Sequence, residues 1–319
     1  MSSPSSPPSE SAAQTLAQRL ASGHFVITAE VVPPVSCNPD DLIAKALPLR
    51  GLADAVNVTD GAGARAHMSA LAAAALLIGA GIEPILQLTC RDRNRIALQG
   101  ELMGAAALGV RNLLLLRGDD PTAGDQADAK PVFDLDSRSL TETARGIRDH
   151  GKRPHGAKVA GAAAFFIGAA DSPVDPPAGW QPDGLKAKVA AGAQFVQTQF
   201  CMDTAIVRRY TARLAEAGLA VHLLIGVNPL RSAKSAAWMR SHLFGTIIPD
   251  AMVARLEEAR DAAAEGRDIC VETIAELSLI PGIAGVHIMA PGNDAVVPEV
   301  IAAARRAVTA AGRAKSGGV

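Results

Sequence analysis

Apolar runs of this chain end in polar side chains that are suited to acid–base chemistry. Glu30 lies near the end of the run Phe25–Val31, and a carboxyl group within an apolar strand is costly unless it is hydrogen-bonded or functional. Burial favours the protonated form of a carboxyl group, which suits a general acid. Glu30 is therefore a candidate catalytic acid, and a structural ion pair is the alternative interpretation.

A second group of polar residues follows the leucine-rich run that ends at Leu116. Arg117 and Asp119 flank Gly118, and a glycine at this position lets a ligand approach the backbone closely. Thr59 ends an earlier apolar run in the same manner. These residues are candidates for binding a polar ligand, and a tight turn held by its own ion pair is the alternative interpretation of the Arg-Gly-Asp sequence.

Amide and ammonium groups extend this set. Gln87 lies near the end of the third apolar run and Gln199 near the end of the sixth. The amide of Gln199 could offer both a donor and an acceptor to a planar heterocycle. Lys186 and Lys188 precede the sixth run and could bind ligand phosphates, although a solvated helix face explains the two lysines equally well.

Short β-branched runs alternate with longer alanine-rich runs from about residue 25 onwards. This alternation, with nearly continuous apolar strands, indicates a parallel sheet covered by helices. Eight units predict the α/β class and a single (β/α)8 TIM barrel, and an open doubly wound sheet is the alternative. The predicted strands are Phe25–Val31, Ala55–Thr59, Pro84–Thr89, Asn112–Leu116, Lys158–Phe166, Phe195–Gln199, Val221–Gly226 and Gly285–Met289. The predicted helices include Ala66–Ile78, Ile96–Leu108, Leu140–His150 and Ile206–Ala217.

In such a barrel the active site lies at the carboxyl ends of the strands, so these polar residues are expected to converge. The long segments Arg117–Arg138 and Gly168–Asp183 would lie on that side. The helical pattern from about Arg231 to Ile280 predicts extra helices before the last strand. The predicted organisation is a disordered or helical N-terminal extension over residues 1–20, a catalytic barrel over 21–312 and a flexible tail over 313–319.

Composition restricts the partners and the compartment. A net charge of −1 and an aromatic content of 3% argue against a nucleic-acid partner, and the apolar runs are too short to span a membrane. The four cysteines form no CxxC pair, and the N-terminus lacks the apolar core of a signal peptide, so a cytoplasmic protein with free thiols is expected. Cys90 and Cys201 lie near strand ends, where a buried structural thiol is commoner than a reactive one.

Other chemistries have weaker support. Gly61-Ala-Gly63-Ala-Arg-Ala66 fits a relaxed dinucleotide fingerprint, which expects an acid at the end of the next strand. That strand ends in Gln87-Leu-Thr-Cys90, so the glycines are interpreted as a turn. The seven histidines form no ligand pair with a nearby carboxylate, and no metal site is predicted. Lys158, the one lysine within a predicted strand, leaves a Schiff-base lyase or aldolase as a rival.

Five short motifs lie at predicted strand ends. The motifs are Glu30-Val-Val-Pro33-Pro34, Val58-Thr59-Asp60-Gly61, Leu88-Thr89-Cys90, Arg117-Gly118-Asp119-Asp120-Pro121 and Thr198-Gln199-Phe200-Cys-Met-Asp203. Each motif is weakly specific alone, and the ordered set is far more specific. Together they resemble the methylenetetrahydrofolate reductase family over roughly residues 25–304.

The resemblance implies a barrel that binds FAD at its C-terminal face. It implies an enzyme that uses a reduced nicotinamide, NADH or NADPH, to reduce 5,10-methylenetetrahydrofolate to 5-methyltetrahydrofolate, which supplies methyl groups for methionine synthesis. The family often assembles, so a homo-oligomer is compatible with it. The alternatives are a non-catalytic or flavin-independent folate-binding relative and the Schiff-base barrel lyase.

The resemblance also implies roles for single residues. Glu30 and Asp119 would be the catalytic residues. Glu30 would be the acid that helps to open the bridging five-membered ring, and Asp119 would lie between flavin and folate, where it tunes the flavin and contacts the pterin. Gln199 would hydrogen-bond the pterin edge. These three are the expected substrate-binding residues. The expected cofactor-binding residues are Thr59, Gln87, Arg117, Gly118, Asp119, Phe166, Gly168 and Lys188.

The chain departs from the family pattern at four places, which predicts a divergent member. Gln87 stands where the family usually has a histidine, and Phe166–Pro173 replaces a Tyr-Pro-Glu-x-His stretch. Ala187 replaces the arginine of a Lys-Arg-Lys sequence, and Gly292-Asn293-Asp294 stands where a substrate-contacting arginine is expected.

Overall fold

The strands form a closed, fully parallel barrel in the computed structural model, which describes residues 14–316. Each strand pairs with the next along the chain, and the last pairs with the first. The strands are β1 (Val26–Val31), β2 (Ala55–Val58), β3 (Pro84–Thr89), β4 (Asn112–Leu116), β5 (Phe166–Asp171), β6 (Phe195–Phe200), β7 (His222–Val227) and β8 (Ile283–Ile288). The predicted (β/α)8 barrel is confirmed.

Helices cover the outside of the barrel, and three of them lie between β7 and β8, as predicted. The helices are α1 (Leu16–Ala21), α2 (Pro39–Ala46), α3 (Ala70–Gly79), α4 (Arg95–Ala107), α5 (Ser137–His150), α6 (Asp183–Ala191), α7 (Thr204–Glu216), α8 (Ala233–His242), α9 (Asp250–Glu258), α10 (Ala262–Leu277) and α11 (Val297–Ser316). The inserted helices are α8, α9 and α10.

Local sequence explains where several of these helices begin. Asn94 accepts hydrogen bonds from the first free backbone N–H groups of α4, and Asp203 does the same for α7. Asp136 and Ser139 form a reciprocal capping box at the start of α5. Such caps satisfy N–H groups that have no partner within the helix, so the helices start directly after the polar loops of the strand ends.

The lower end of the barrel, where the strands begin, is closed by apolar side chains. Leu16 and Leu20 of α1 are buried against Val26, Phe166 and other first residues of the strands. The rings of Phe166 and Phe195 stack there with their centroids 5.0 Å apart. Helix α1 therefore acts as a plug at the lower end. The opposite end, formed by the carboxyl ends of the strands, is here called the mouth.

A buried carboxylate connects the plug to the barrel wall. Asp54 precedes β2, and its side chain is only 2% exposed. It accepts a hydrogen bond from the backbone N–H of Ile27 at 2.7 Å. It also pairs with Arg19 of α1 at 3.2 Å and with Arg305 of α11 at 3.0 Å. A buried charge with several donors is satisfied, so this cluster holds both ends of the described chain on the barrel.

The prediction for the fifth strand was wrong. The strand is β5 (Phe166–Asp171) rather than Lys158–Phe166. Gly161 has a φ of +87°, which interrupts an extended strand, and Lys158 forms an isolated antiparallel bridge with Lys152. Lys158 is exposed outside the barrel strands, so the Schiff-base rival loses the observation on which it depended.

The ends of the described chain are helical. Helix α1 occupies Leu16–Ala21, within the segment for which disorder or a helix was expected. Helix α11 continues to Ser316, beyond the point at which a flexible tail was expected to begin. The remaining parts of these two expectations, residues 1–13 and 317–319, lie outside the described residues.

Closure of the barrel depends on a glycine in β8. Gly285 pairs with Val26 of β1, and a Cβ atom at this glycine would lie 2.2 Å from the carbonyl oxygen of Val26. That separation is far inside van der Waals contact, and a backbone atom cannot rotate away as the end of a side chain can. The β1–β8 pairing therefore has no room for any side chain at position 285.

We expect Gly285→Ala to destabilise the protein by about 3 kcal/mol, since overpacking in a rigid core costs about this much. Thermal and urea unfolding, followed by circular dichroism, would measure the change. Gly100→Ala is the matched control, because Gly100 is an exposed residue of α4 and a Cβ atom added there would have nothing within 4 Å. The control should be neutral or stabilising by up to about 1 kcal/mol. Equal stability of the two variants would contradict the role assigned to Gly285.

Candidate functional site

The mouth of the barrel brings together most of the residues predicted for the site. Glu30 is the penultimate residue of β1, Thr59 directly follows β2, and Gln199 is the penultimate residue of β6. Residues 117–119 directly follow β4. Because the carboxyl ends of all parallel strands lie at the same end of a barrel, these polar groups share one surface.

Glu30 is held by the barrel wall and remains reachable from the mouth. Its side chain is 19% exposed, and its Oε2 atom accepts a hydrogen bond from Nε2 of Gln87 at 3.2 Å. The Nε2 atom of His287 lies 3.8 Å from the same oxygen. Both contacts involve Oε2, so Oε1 has no hydrogen-bond partner among the described residues and is available to a ligand.

A polar layer lies inside the barrel next to Glu30, formed by Thr28, Asn57, Gln197 and His287. All four residues are buried. Asn57 and Gln197 exchange two amide hydrogen bonds of 2.7 and 3.0 Å, and Gln197 also donates to Thr28 at 3.1 Å. The Thr28 hydroxyl lies 3.0 Å from Nδ1 of His287. The polar layer therefore links four strands beneath the candidate acid.

This polar layer was not predicted as a site from the sequence. A usable signal was present, because Thr28, Asn57 and Gln197 each lie two residues before a predicted site residue. Residues i and i+2 of a strand point to the same face. His287 has a weaker signal, since it lies near the end of a strand that contributed no candidate residue.

Thr59 contributes a buried hydroxyl without a protein partner. The residue is 3% exposed, and its Oγ1 atom has no hydrogen-bond partner in the described part of the chain. A buried polar atom without a partner is unusual in proteins and costs free energy. The hydroxyl is also closed off from the mouth, so a ligand could reach it only after a local rearrangement.

The loops after β2 and β3 are tied together by charged side chains. Asp60 accepts from the backbone N–H of Thr89 at 2.7 Å and pairs with Arg93. Arg91 donates to the carbonyl oxygen of Gly61 at 3.2 Å, and a Cβ atom at Gly61 would clash with this guanidinium group. The glycine-rich segment is thus a turn packed on arginine, in line with its interpretation from sequence.

Arg117, Gly118 and Asp119 form an open part of the mouth. The guanidinium carbon of Arg117 lies 4.3 Å from the centre of the Phe133 ring, a cation–π contact. Phe133 has a φ of +43°, which is uncommon for a residue other than glycine. Asp119 is exposed, so its carboxylate can meet a ligand from solvent.

Gln199 and Lys188 reach the mouth, but both already have protein partners. The Gln199 amide donates to the carbonyl oxygen of Phe244 at 3.2 Å and accepts from its neighbour's backbone N–H at 3.0 Å. Lys188 donates to the carbonyl oxygen of Ala170 at 2.6 Å and lies 3.8 Å from Asp171. The Asp171 carboxylate therefore compensates the Lys188 charge within the protein. Tyr210 donates a further hydrogen bond to Asp171.

Two predicted cofactor residues do not lie at the mouth. Phe166 is the first residue of β5 and belongs to the apolar plug at the lower end. A Cβ atom at Gly168 would lie 2.3 Å from the ring of Phe195, so this glycine makes room for an aromatic ring of the core. Their placement follows from the later start of β5, which puts Asp171 rather than Phe166 at the carboxyl end of the strand.

The predicted FAD set therefore does not assemble as a whole. The segment from Arg117 to Asp136 holds six aspartates and only two basic residues, Arg117 and Lys130. Negative carboxylates repel a diphosphate, and the paired Lys188 is not a free cation. The charges around β4 and β5 therefore do not fit the diphosphate of FAD.

The described residues contain neither a metal-binding cluster nor a membrane-spanning helix. Between residues 14 and 316, no three His, Cys, Asp or Glu side chains are grouped so that they could hold a metal ion. Over the same part of the chain, no helix is both long and apolar enough to cross a bilayer.

A parallel barrel with a reachable carboxylate and several amides at its mouth defines a (β/α)8 protein with a candidate small-molecule site at the C-terminal face. The family model for methylenetetrahydrofolate reductase matches residues 15–305. The chain therefore belongs to the methylenetetrahydrofolate reductase family.

Relatives of this chain include longer proteins. It is 26% identical over 231 residues to methylenetetrahydrofolate reductase 1 of Schizosaccharomyces pombe, covering 69% of this chain and 35% of that protein. It is 28% identical over 224 residues to methylenetetrahydrofolate reductase 2 of Saccharomyces cerevisiae, covering 68% and 35%. A probable methylenetetrahydrofolate reductase (NADPH) of Caenorhabditis elegans is 26% identical over 72% of this chain and 33% of that protein. The chain thus matches about a third of the length of these relatives.

Solved structures share the fold at low sequence identity. A Clostridium thermocellum protein that binds two copies of 5-methyl-5,6,7,8-tetrahydrofolic acid has a TM-score of 0.60 and 14% identity, covering 91% of this chain and 97% of that chain. EDTA monooxygenase from Chelativorans has a TM-score of 0.55 and 13% identity, covering 88% and 93%. At these identities the likeness establishes the common barrel fold.

We expect the cysteines of the mouth to be unreactive in the native protein. Cys90 and Cys201 are buried, and burial raises the pKa of Cys90 to about 11 and that of Cys201 to about 12. A disulfide reagent such as DTNB at pH 8 should label one thiol quickly, the exposed Cys37, because the reactive species is the thiolate. Cys37→Ser should remove the fast phase. A fast phase that persists in this variant would show that a buried cysteine reacts.

Proposed function

We propose that this protein reduces 5,10-methylenetetrahydrofolate to 5-methyltetrahydrofolate with electrons from a reduced nicotinamide. The observation that carries the proposal is the partly exposed Glu30 carboxyl group, which Gln87 holds at the mouth of the barrel. Membership of the family supports the choice of substrate. The 5-methyltetrahydrofolate would supply methyl groups for methionine synthesis.

Glu30 would act as the general acid of this reaction. Its proton would pass to the folate nitrogen that leaves the bridging carbon, so that the bond between them breaks and an iminium ion forms. A hydride, two electrons with one proton, would then reduce the bridging carbon to a methyl group. The free Oε1 atom is the position from which Glu30 would give its proton, since Oε2 is already bonded to Gln87.

Asp119 and Gln199 would bind the pterin. The exposed Asp119 carboxylate can accept hydrogen bonds from N–H groups at the edge of a pterin ring. The Gln199 amide has one N–H on the Phe244 carbonyl oxygen, and its Oε1 atom accepts from the backbone N–H of Phe200. Its second N–H and the second lone pair of Oε1 could still bind the pterin edge.

FAD stays a prediction of the family resemblance. Thr59, Arg117, Gly118 and Asp119 would be its neighbours at the mouth, where a flavin would relay the hydride. The acidic segment after β4 and the compensated charge of Lys188 favour the flavin-independent alternative.

The visible absorption spectrum of the purified protein, with and without added FAD, would decide between these two routes. Flavin bands that bleach with NADH or NADPH and recover with methylenetetrahydrofolate would establish a flavin enzyme. We expect a protein with no flavin bands and no uptake of FAD, because aspartates outnumber basic residues after β4 and Lys188 lies against Asp171. Stopped-flow detection of nicotinamide oxidation by the folate would then test direct hydride transfer.

We expect Glu30→Gln to bind folate normally and to reduce it at least about a hundredfold more slowly, because the amide cannot donate a proton as an acid. Isothermal titration with 5-methyltetrahydrofolate would measure binding, and nicotinamide absorbance would measure turnover. Glu257→Gln is the matched control, since Glu257 is an exposed residue of α9, and its turnover should be unchanged.

Other outcomes separate the alternatives. Unimpaired turnover of Glu30→Gln would refute the acid role. Folate binding without turnover in the wild-type protein would indicate a non-catalytic relative. Trapping of a substrate by borohydride would restore the Schiff-base lyase.

A further inference from the structure

We propose that helix α4 binds the same helix of a second copy of this chain, with the two helices antiparallel. The contact surface is here called the α4 face and consists of Ile96, Gly100, Met103 and Ala107. It lies on the outside of the barrel, so the inference does not depend on the proposed function. Three properties of the α4 face support it, namely its exposure, its lack of charge and its order of large and small residues.

The α4 face is an exposed apolar surface. Its four residues follow the spacing i, i+4, i+7 and i+11, which places them on one side of a helix. Ile96 is 77% exposed and Met103 is 37% exposed, and Gly100 and Ala107 are exposed as well. A surface helix normally turns polar or charged residues to water. Contiguous exposed apolar residues are instead typical of a contact surface.

No charged side chain lies on the α4 face. The charged residues of α4 are Arg95 and Glu101, which lie about 110° and 130° around the helix from the centre of the face. A Cβ atom at Gly104 would lie 3.5 Å from Leu71 of the neighbouring α3. Among the helices of residues 14–316, α3 alone has no charged residue. The apolar surface therefore extends from α4 towards α3.

This lack of charge favours a second copy as the partner. A twofold axis brings a surface against an identical surface, so a charge on it meets the same charge nearby. Like charges that face each other across an interface weaken binding. The outer sides of α3 and α4 have no such repulsion to overcome, whereas the other described helices carry charged residues.

The order of large and small residues lets the α4 face pack on itself. In a twofold contact, residue i of one copy faces residue j of the other, and j faces i. When antiparallel helices pair Gly100 with Met103, they also pair Ile96 with Ala107, because both pairs are centred on the same point of the helix. Each large side chain then meets a small residue. A parallel pairing would set Ile96 on Ile96 and leave a gap at Gly100, where packing contacts would be lost.

The size of the surface predicts a weak, reversible dimer. Helix α4 has 13 residues and is therefore about 20 Å long. A strip as wide as α4 and α3 together is about 20 Å across, which gives a footprint of about 400 Å² on each copy. Stable interfaces bury about 800 Å² per partner. We therefore expect a dissociation constant in the micromolar range.

Sedimentation velocity tests the dimer with two charge variants, Gly100→Glu and Met103→Lys. The wild-type protein, from about 1 to about 200 µM, should show a reversible monomer–dimer equilibrium. Each variant alone should raise the dissociation constant at least about thirtyfold, because its dimer would contain the unpaired charge twice. Both positions are exposed, and Glu and Lys are good helix formers, so circular dichroism should show folded protein. A single methyl group in place of the Gly100 hydrogen would not suffice, because the flexible Met103 side chain can make room for it.

A mixture of the two variants tests how the helices are paired. An equimolar mixture should form a heterodimer with a dissociation constant within about fivefold of the wild-type value, because the carboxylate introduced by Gly100→Glu would face the ammonium group introduced by Met103→Lys. Ala251→Glu is the matched control and should dimerise as the wild-type protein does. Ala251 is an exposed residue of α9, which lies between β7 and β8 on the opposite side of the barrel from α4.

Three results would overturn the proposal. A wild-type protein that stays monomeric throughout this range of concentrations would show that the α4 face does not bind a second copy. Dimers that persist unchanged in both variants would place the interface elsewhere. Loss of the dimer in both variants without recovery in the mixture would contradict the antiparallel pairing.

Discussion

The pairing of β1 with β8 is the interaction on which the rest of the molecule depends. It joins strands at opposite ends of the sequence, and Gly285 permits it because the backbone of Val26 occupies the place of a side chain. The same register puts Thr28 beside His287 and Glu30 within reach of the imidazole. The same strand pairing therefore closes the barrel and brings the residues around Glu30 together.

The barrel interior changes character along its axis. The plug at the lower end is apolar and tightly stacked, the polar layer above it exchanges hydrogen bonds across the barrel, and the mouth carries charge. Buried amides are tolerated when their donors and acceptors are paired, as those of Asn57 and Gln197 are. This gradient lets a stable core end directly beneath groups that face a ligand.

Sequence patterns predicted most of the architecture, because parallel strands buried on both faces leave a strong apolar signal. The bounds of β3 and β4 were predicted without error. The fifth strand was misplaced because its alanine-rich approach resembles a strand in composition, and Phe166 and Gly168 were misplaced with it. The Phe244 acceptor of Gln199 and the Ala170 and Asp171 partners of Lys188 lie outside the elements of these two residues. No local pattern could therefore have shown that these side chains are already engaged.

The apolar plug gives the barrel the form of a well that is closed at its lower end by α1. Leu16 and Leu20 seal the floor, and the buried imidazole of His287 lies between that floor and Glu30. A proton that leaves the imidazole by way of the mouth passes the acid. A ligand seated over Glu30 would cover this route, so that proton exchange with bulk water through the mouth would slow while the ligand is bound.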